Sequence, residues 1–279
     1  MPSALRILVS VALLCAVSGV AQAKGGPRCY FVGGYAAAQT RELLAQAQTE
    51  ASPDEAAAAA AAADAADAAA GYGIVRNPGA GVTFGGYTYA TVVLGNGQEW
   101  MAENLRTTTY ANGDPIQQVT DGDEWSAIST GAWAHYVNNA SYEDPYGKLY
   151  NWYAVADPRN VCPTNWHVPT DAEWTVLTDY LGGESVAGGK MKSTGTQYWA
   201  SPNTGATNES GFSGLPGGSR HSLDGTFSYL GNGGSWWSAS ENENVADYAW
   251  NRTLLYSTAG IYQDDNDKWT GFSVRCLRD

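Results

Sequence analysis

A break in composition constrains this chain more than any single motif. All 11 tryptophans lie between Trp100 and Trp269, whereas Tyr35 to Ala70 holds none and is about half alanine. A segment so poor in large side chains cannot bury enough apolar surface to offset its ordering entropy as a core. The 279 residues therefore divide into residues 1–23, a spacer over 24–79 and a folded domain over 80–279. The domain is long enough for a sizeable core. The formal charge of −13 argues against nucleic acid or an anionic membrane surface as partner, since both need a basic patch.

The first 23 residues read as a cleavable signal peptide. Arg6 supplies a positive start, Leu8 to Val20 is apolar, and Ala21-Gln22-Ala23 is a small-x-small cleavage site. Cys15 lies inside the apolar run behind Ala12, Leu13 and Leu14, a poor setting for a lipoprotein site. The expected location is secreted, periplasmic or cell-surface, with no transmembrane span in the mature chain. Within the spacer, Ser52-Pro53-Asp54-Glu55 is a helix start with a capping box, followed by eight alanines and a stop at Gly71. This predicts a helical stalk about 27 Å long, with little to bury. Gly71 to Gly86 reads as linker.

Three cysteines remain after cleavage. Cys162 and Cys276 both lie in the domain, so in an oxidising compartment they are the expected pair. Such a bridge is worth about 4–5 kcal/mol on the chain-entropy account. Cys29 is left over, either as a free thiol or as the bridge of a disulfide dimer.

Alternation at Tyr87, Tyr89, Thr91 and Val93 predicts a strand, Asn96-Gly97 a tight turn, and Gln98 to Met101 a returning strand. The strongest helix signal is Asp171 to Leu181. Thr170 caps it, Glu173 closes a capping box, and Trp174, Leu177 and Leu181 form one buried face. A weaker helix covers Glu184 to Lys192, interrupted by Gly188-Gly189. Beyond Ser193 short strands alternate with turns, at Thr226 to Leu230, Gly234 to Ser238, Asp247 to Tyr256, Gly260 to Gln263 and Gly271 to Leu277. Helices and strands in separate runs indicate an α+β domain.

His135, His167 and His221 are far apart and stand in no metal-binding or triad motif, and no nucleophile elbow is present. His167 reads as structural. Glu99 and Glu103 make a carboxylate pair of the kind an acidic chain offers by chance. Binding is better supported. The last 45 residues crowd Trp236, Trp237, Tyr248, Trp250, Tyr256, Tyr262 and Trp269 among asparagines. Aromatic faces stack on sugars or protein surfaces, and amides hydrogen-bond hydroxyls. Trp236 and Trp237 are adjacent, so a strand would bury one and leave the other more exposed, and Trp250 reads as core. The ligand-contacting candidates are Trp237, Asn242, Asn244, Tyr248 and Tyr262. Asp264, Asp265, Asn266 and Asp267 read either as a solvated turn or as a calcium site of oxygen ligands, and Glu241 to Asn244 as a possible second ligand loop.

Eight blocks carry a family resemblance. They are QEWMAENL (98–105), GKLYNWYA (147–154), CPTNWHVPTDAEW (162–174), AGGK (187–190), NESGFS (208–213), LPGG (215–218), WWS (236–238) and GFSVRCLRD (271–279). In this order they resemble the Fibrobacter succinogenes major paralogous domain family over about residues 87–279. The VPTDAEW stretch and the GFSVRC ending also look like blocks of the formylglycine-generating sulfatase-modifying proteins. That wider resemblance implies a C-type lectin-like fold: a small twisted antiparallel sheet, one or two helices and long loops. The enzymes of that group use a cysteine pair with copper, whereas Cys162 and Cys276 sit in structural-looking blocks, a departure from the enzyme pattern.

The expected function is a non-enzymatic binding or adhesion module whose partner is a polysaccharide, a cell-surface glycan or a protein. The alternatives are an enzyme related to the formylglycine-generating group or a weak hydrolase, and a structural cell-surface component.

Overall fold

The computed structural model describes residue 74 and residues 76–279. The signal segment, the alanine-rich stalk and Cys29 lie outside the described residues. Among the described residues, the strands are β1 (Arg76–Pro78), β2 (Val82–Phe84), β3 (Tyr87–Tyr89), β4 (Thr91–Leu94), β5 (Glu99–Met101), β6 (Gln117–Gln118), β7 (Ala132–Ala134), β8 (Leu149–Tyr150), β9 (Trp166–His167), β10 (Gly217–Arg220), β11 (Phe227–Leu230), β12 (Gly233–Glu241), β13 (Tyr248–Leu255), β14 (Ile261–Asp267) and β15 (Leu277–Arg278). The α-helices are α1 (Gly122–Ala127), α2 (Glu143–Tyr146), α3 (Trp152–Val155), α4 (Asp171–Tyr180) and α5 (Glu184–Met191).

Val75–Asp279 form one unit around two five-stranded sheets. The first runs β1-β4-β5-β15-β9 and the second β11-β10-β12-β13-β14. The mixture is α+β with few helices, as the residue pattern predicts. The β4–β5 hairpin turns at Asn96-Gly97, where Gly97 has φ 90° and the Asn96 side chain accepts from the Gln98 amide. The expected single strand at Tyr87–Val93 is two strands, β3 and β4.

Helix α4 forms as its signals require. The Thr170 hydroxyl accepts from the Glu173 amide, and the Glu173 carboxylate accepts from the Thr170 amide at 2.8 Å. Trp174, Leu177 and Leu181 are buried. Helix α5 forms in spite of Gly188-Gly189 because both glycines are contact points. A Cβ on Gly188 would stand 1.9 Å from the Gly260 carbonyl oxygen, and one on Gly189 would stand 2.3 Å from that of Gly205. Close backbone packing here outweighs weak helix propensity.

Tryptophan makes much of the core. Trp100 and Trp174 lie 4.7 Å apart, and Phe212 joins them to Trp236 at 5.4 Å. On the other side, Trp237 packs on Phe272 at 4.7 Å. Both Trp236 and Trp237 are buried. This corrects the expectation that one of the pair is exposed: the second sheet is covered on both faces where these side chains leave β12. Their indole N–H groups donate to the Asn104 Oδ1 and the Tyr150 carbonyl, each at 2.8 Å. The Cys162–Cys276 disulfide is present across a separation of 114 residues.

Loops join most of these elements, and three buried cations hold them from within. Lys192 Nζ donates to the carbonyls of Thr204, Leu255 and Thr258 at 2.9, 3.0 and 2.7 Å. The Arg220 guanidinium donates to those of Val119, Thr120, Asp121 and Gly225. The Arg275 guanidinium donates to Asn104, Phe212 and Ser213 and lies over the Phe212 ring. Burial lowers Lys192 to about 8, Arg275 to about 9 and Arg220 to about 10. Carbonyl cages satisfy their donors where no carboxylate stands within ion-pair distance.

Candidate functional site

Strands β12 and β13 form the longest hairpin, and its tip sets the geometry of a surface cleft. The register shifts between Trp237 and Glu241, which bends the end of β12 over the start of α4. The Ala239 amide donates to the Pro169 carbonyl, and the Asp171 amide donates to Ser240 Oγ at 3.0 Å. The tip is fastened by Asn242. Its amide donates to the Tyr248 carbonyl, its Oδ1 accepts from the Asn244 amide at 2.8 Å, and its Nδ2 donates to Asp265.

Between tip and helix lies an open cleft of about 350 Å³, lined by Asp171, Ala172, Ser240, Trp250 and residues 241–244. Asp171 is held in place by Arg252 Nη1 at 2.6 Å and by Gln263 Nε2 at 3.0 Å. Glu241 pairs loosely with Lys268 at 3.3 Å. The cleft offers one aromatic wall and several oxygen acceptors, with no thiol, histidine or serine–base pair in its lining.

The structure separates the ligand-contacting candidates. Asn244 is exposed at the cleft and Asn242 is buried beneath it as the turn fastener. Tyr248 is half-buried and shares the β13 face of Trp250, two residues on. Trp237 is buried and cannot meet a ligand, because it points from β12 into the core. Tyr262 is 44% exposed but pairs with Thr253, so it stands on the sheet face opposite Trp250. Trp250 itself is half-buried at the cleft rather than core. The signal for it was the Tyr248/Trp250 alternation, which does not say which face is covered.

Asp264–Asp267 is not a turn but most of β14, paired with β13 from Asn251↔Asp264 to Tyr248↔Asp267. Alternation sends Asp264 and Asn266 to one face and Asp265 and Asp267 to the other, so the four cannot converge on one cation. Asp265 accepts from Asn242, and Asp267 accepts from Ser222 Oγ at 2.9 Å. Among the described residues no group of three or more His, Cys, Asp or Glu side chains is placed to hold a metal ion.

The acid–base residues also go to structural contacts. His167 bridges Asp279 and Glu173 at 2.6 and 3.0 Å. Glu99 accepts from Thr91 and Arg278, and Glu103 accepts from the Tyr87 hydroxyl and the Ala90 amide. His135 and Lys148 both contact the Glu143 carboxylate. Burial by itself would raise Glu143, but the hydrogen bonds from Lys148 and His135 outweigh it and hold the group below the usual carboxylate range. Among the described residues no helix is long and apolar enough to cross a membrane.

Compared with known families, residues 93–278 match the one described as the Fibrobacter succinogenes major domain. No curated protein and no solved structure gives a significant match.

Proposed function

The chain belongs to the Fibrobacter succinogenes major domain family, and from that premise we propose an exported, non-enzymatic binding module that takes a glycan at the hairpin cleft. The observation that carries this reading is the lining of the cleft, where Trp250 stands beside Asn244, Glu243 and a fixed Asp171. An aromatic wall packs against the C–H face of a sugar ring, while carboxylates and amides accept and donate to its hydroxyls. The open, shallow form suits a ligand held from one side. The α+β domain with long loops supports a C-type lectin-like architecture, and the alanine-rich segment supports a stalk that holds it away from its anchor. The disulfide fits an oxidising compartment.

The test is calorimetric titration of the full chain with a panel of oligosaccharides, repeated for Trp250→Ala and Asn244→Ala. The expected result is a loss of affinity of tenfold or more with little change in Tm. Undiminished binding by both folded variants would move the site away from the hairpin. A chelator arm addresses calcium, and with the acids of β14 on alternating faces, binding is expected to be unchanged by it.

A further inference from the structure

A second aromatic surface lies outside the hairpin, on strand β11, the 136–146 segment and the loop at Tyr198, none of which the C-terminal aromatic pattern includes. Phe227, Tyr136, Tyr142, Tyr146 and Tyr198 form a continuous row, with successive ring centroids 5.4, 5.5, 6.4 and 6.0 Å apart. All five are half-buried. The row runs along β10, and glycine there lets it sit close. A Cβ on Gly218 would stand 2.8 Å from Tyr136 Cε2. The segment under the row reads Tyr136-Val-Asn-Asn-Ala-Ser-Tyr142, and Asn138, Asn139 and Ser141 are exposed along it. Tyr229, on β11 beside Phe227, is 61% exposed.

The charged groups nearby are occupied elsewhere. Glu143 is turned to His135 and Lys148, Asp144 to Arg106, and Arg220 lies buried with its donors on carbonyls. The Gln197 amide donates to the Tyr198 hydroxyl. Phe227 also packs against the Val119, Trp125, Ala132 and Ala134 cluster and lies under the Arg220 guanidinium, so it anchors the row at its inner end. A file of partly exposed rings, edged by Val137, Asn138, Asn139 and Ser141 and by one exposed carboxylate, Asp144, 3.4 Å from Arg106, matches a long, narrow ligand without negative charge.

We propose that this row is a binding site for a linear neutral polysaccharide, whose successive sugar rings lie along it. A folded protein partner would need a broad dehydrated centre of the size a standard interface buries, which a single file does not offer. The row shares no residue with the hairpin cleft, so either site can fail without the other.

The experiment is affinity electrophoresis and calorimetry of the full chain with mixed-linkage β-glucan, xylan and, as a charged control, polygalacturonate. Three proteins are compared: wild type, Tyr142→Ala/Tyr198→Ala and Trp250→Ala. The expected result is that wild type is retarded by a neutral polymer and that the double variant loses tenfold or more in affinity at an unchanged Tm. Trp250→Ala, which removes the proposed cleft site, should lose that site's share of short-oligosaccharide binding and still be retarded by the neutral polymer through the row, and hexasaccharides should bind more tightly than disaccharides. The inference is overturned if the double variant binds as wild type does, if polygalacturonate is preferred, or if wild type binds no neutral polymer. Loss only in Trp250→Ala would assign the glycan to the cleft. A protein captured by wild type but not by the double variant, without any glycan binding, would make the row a protein interface.

Discussion

Lys192 is a fully buried cation without a carboxylate partner among the described residues, and replacing it with methionine is a sharp perturbation. The side chain is fully buried, and its ammonium fills a cage of the Thr204, Leu255 and Thr258 carbonyls. Methionine keeps the length and apolar stem but leaves three acceptors without a donor. Each orphaned buried acceptor costs about 1–3 kcal/mol, and relief from burying a charge offsets part of the sum. The net expectation is a loss of about 3 kcal/mol in urea unfolding at pH 7, comparable to breaking a buried charge contact. The pH dependence gives an independent reading. Burial lowers Lys192 from 10.5 to about 8 in the folded chain. Between those values the unfolded chain holds a proton that the folded chain has released. Stability therefore rises with pH across this window and is lost as pH falls back through about 8, by about 1.4 kcal/mol per unit at most and about 3 kcal/mol in all. Subtracting the curve of Lys192→Met isolates this contribution from the tyrosines, which titrate nearby. A wild-type minus variant difference that is flat or falls from pH 8 to 10.5 would refute the lowered Lys192 value and mean that the three carbonyls hold the ammonium as well as water does. A variant within 1 kcal/mol of wild type at pH 7 would refute the cage as drawn.

Three further outcomes are expected. Removing the disulfide as Cys162→Ala/Cys276→Ala should cost about 4–5 kcal/mol and lower the calorimetric Tm sharply, given its 114-residue span; a small shift would mean that the unfolded chain is already compact. Thr170→Ala should remove about 1 kcal/mol by urea unfolding, because it takes away the hydroxyl that accepts from the Glu173 amide, while the Glu173 carboxylate still accepts from the backbone amide of residue 170. Glu143 is held below its ordinary value in the fold, so it contributes stability above the unfolded carboxylate range and loses it as pH falls through the folded value. Glu143→Gln should therefore flatten the acid limb of the stability curve below about pH 4.5, and an unchanged limb would remove His135 and Lys148 as its partners.

Local signals carried the parts of the fold they could. Thr170 and Glu173 name the start of α4 because a capping box is satisfied within four residues. Asn96-Gly97 names its hairpin because the turn needs a positive φ. The cysteine pair followed from a process of compartment and location. The side-chain environment was less legible, because burial is a property of what comes to lie opposite. Trp236 and Trp237 alternate as expected, yet partners 24 to 132 residues away cover both. Trp250 alternates in the same way and is left at an open cleft. The acidic run Asp264–Asp267 looks like a turn by composition, but pairing along β13 makes it a strand. The aromatic row unites residues 136, 142, 146, 198 and 227, and no window of sequence contains it.

The position of β15 has a consequence for how this chain is made. Leu277 pairs with both Trp100 and His167, so the last strand lies between β5 and β9 in the interior of the first sheet. Phe272 and Ser273 reach Tyr150 and Trp236 on the way there. While these residues are still inside the ribosome, the sheet has a gap at its centre, Cys162 has no partner and the Trp100 edge is open. The domain can complete its fold only after residue 278 has emerged. The order of synthesis thus fixes the order of completion: the first sheet stays divided between β5 and β9 until the final residues arrive, and the Cys162–Cys276 bridge can close only in that last step.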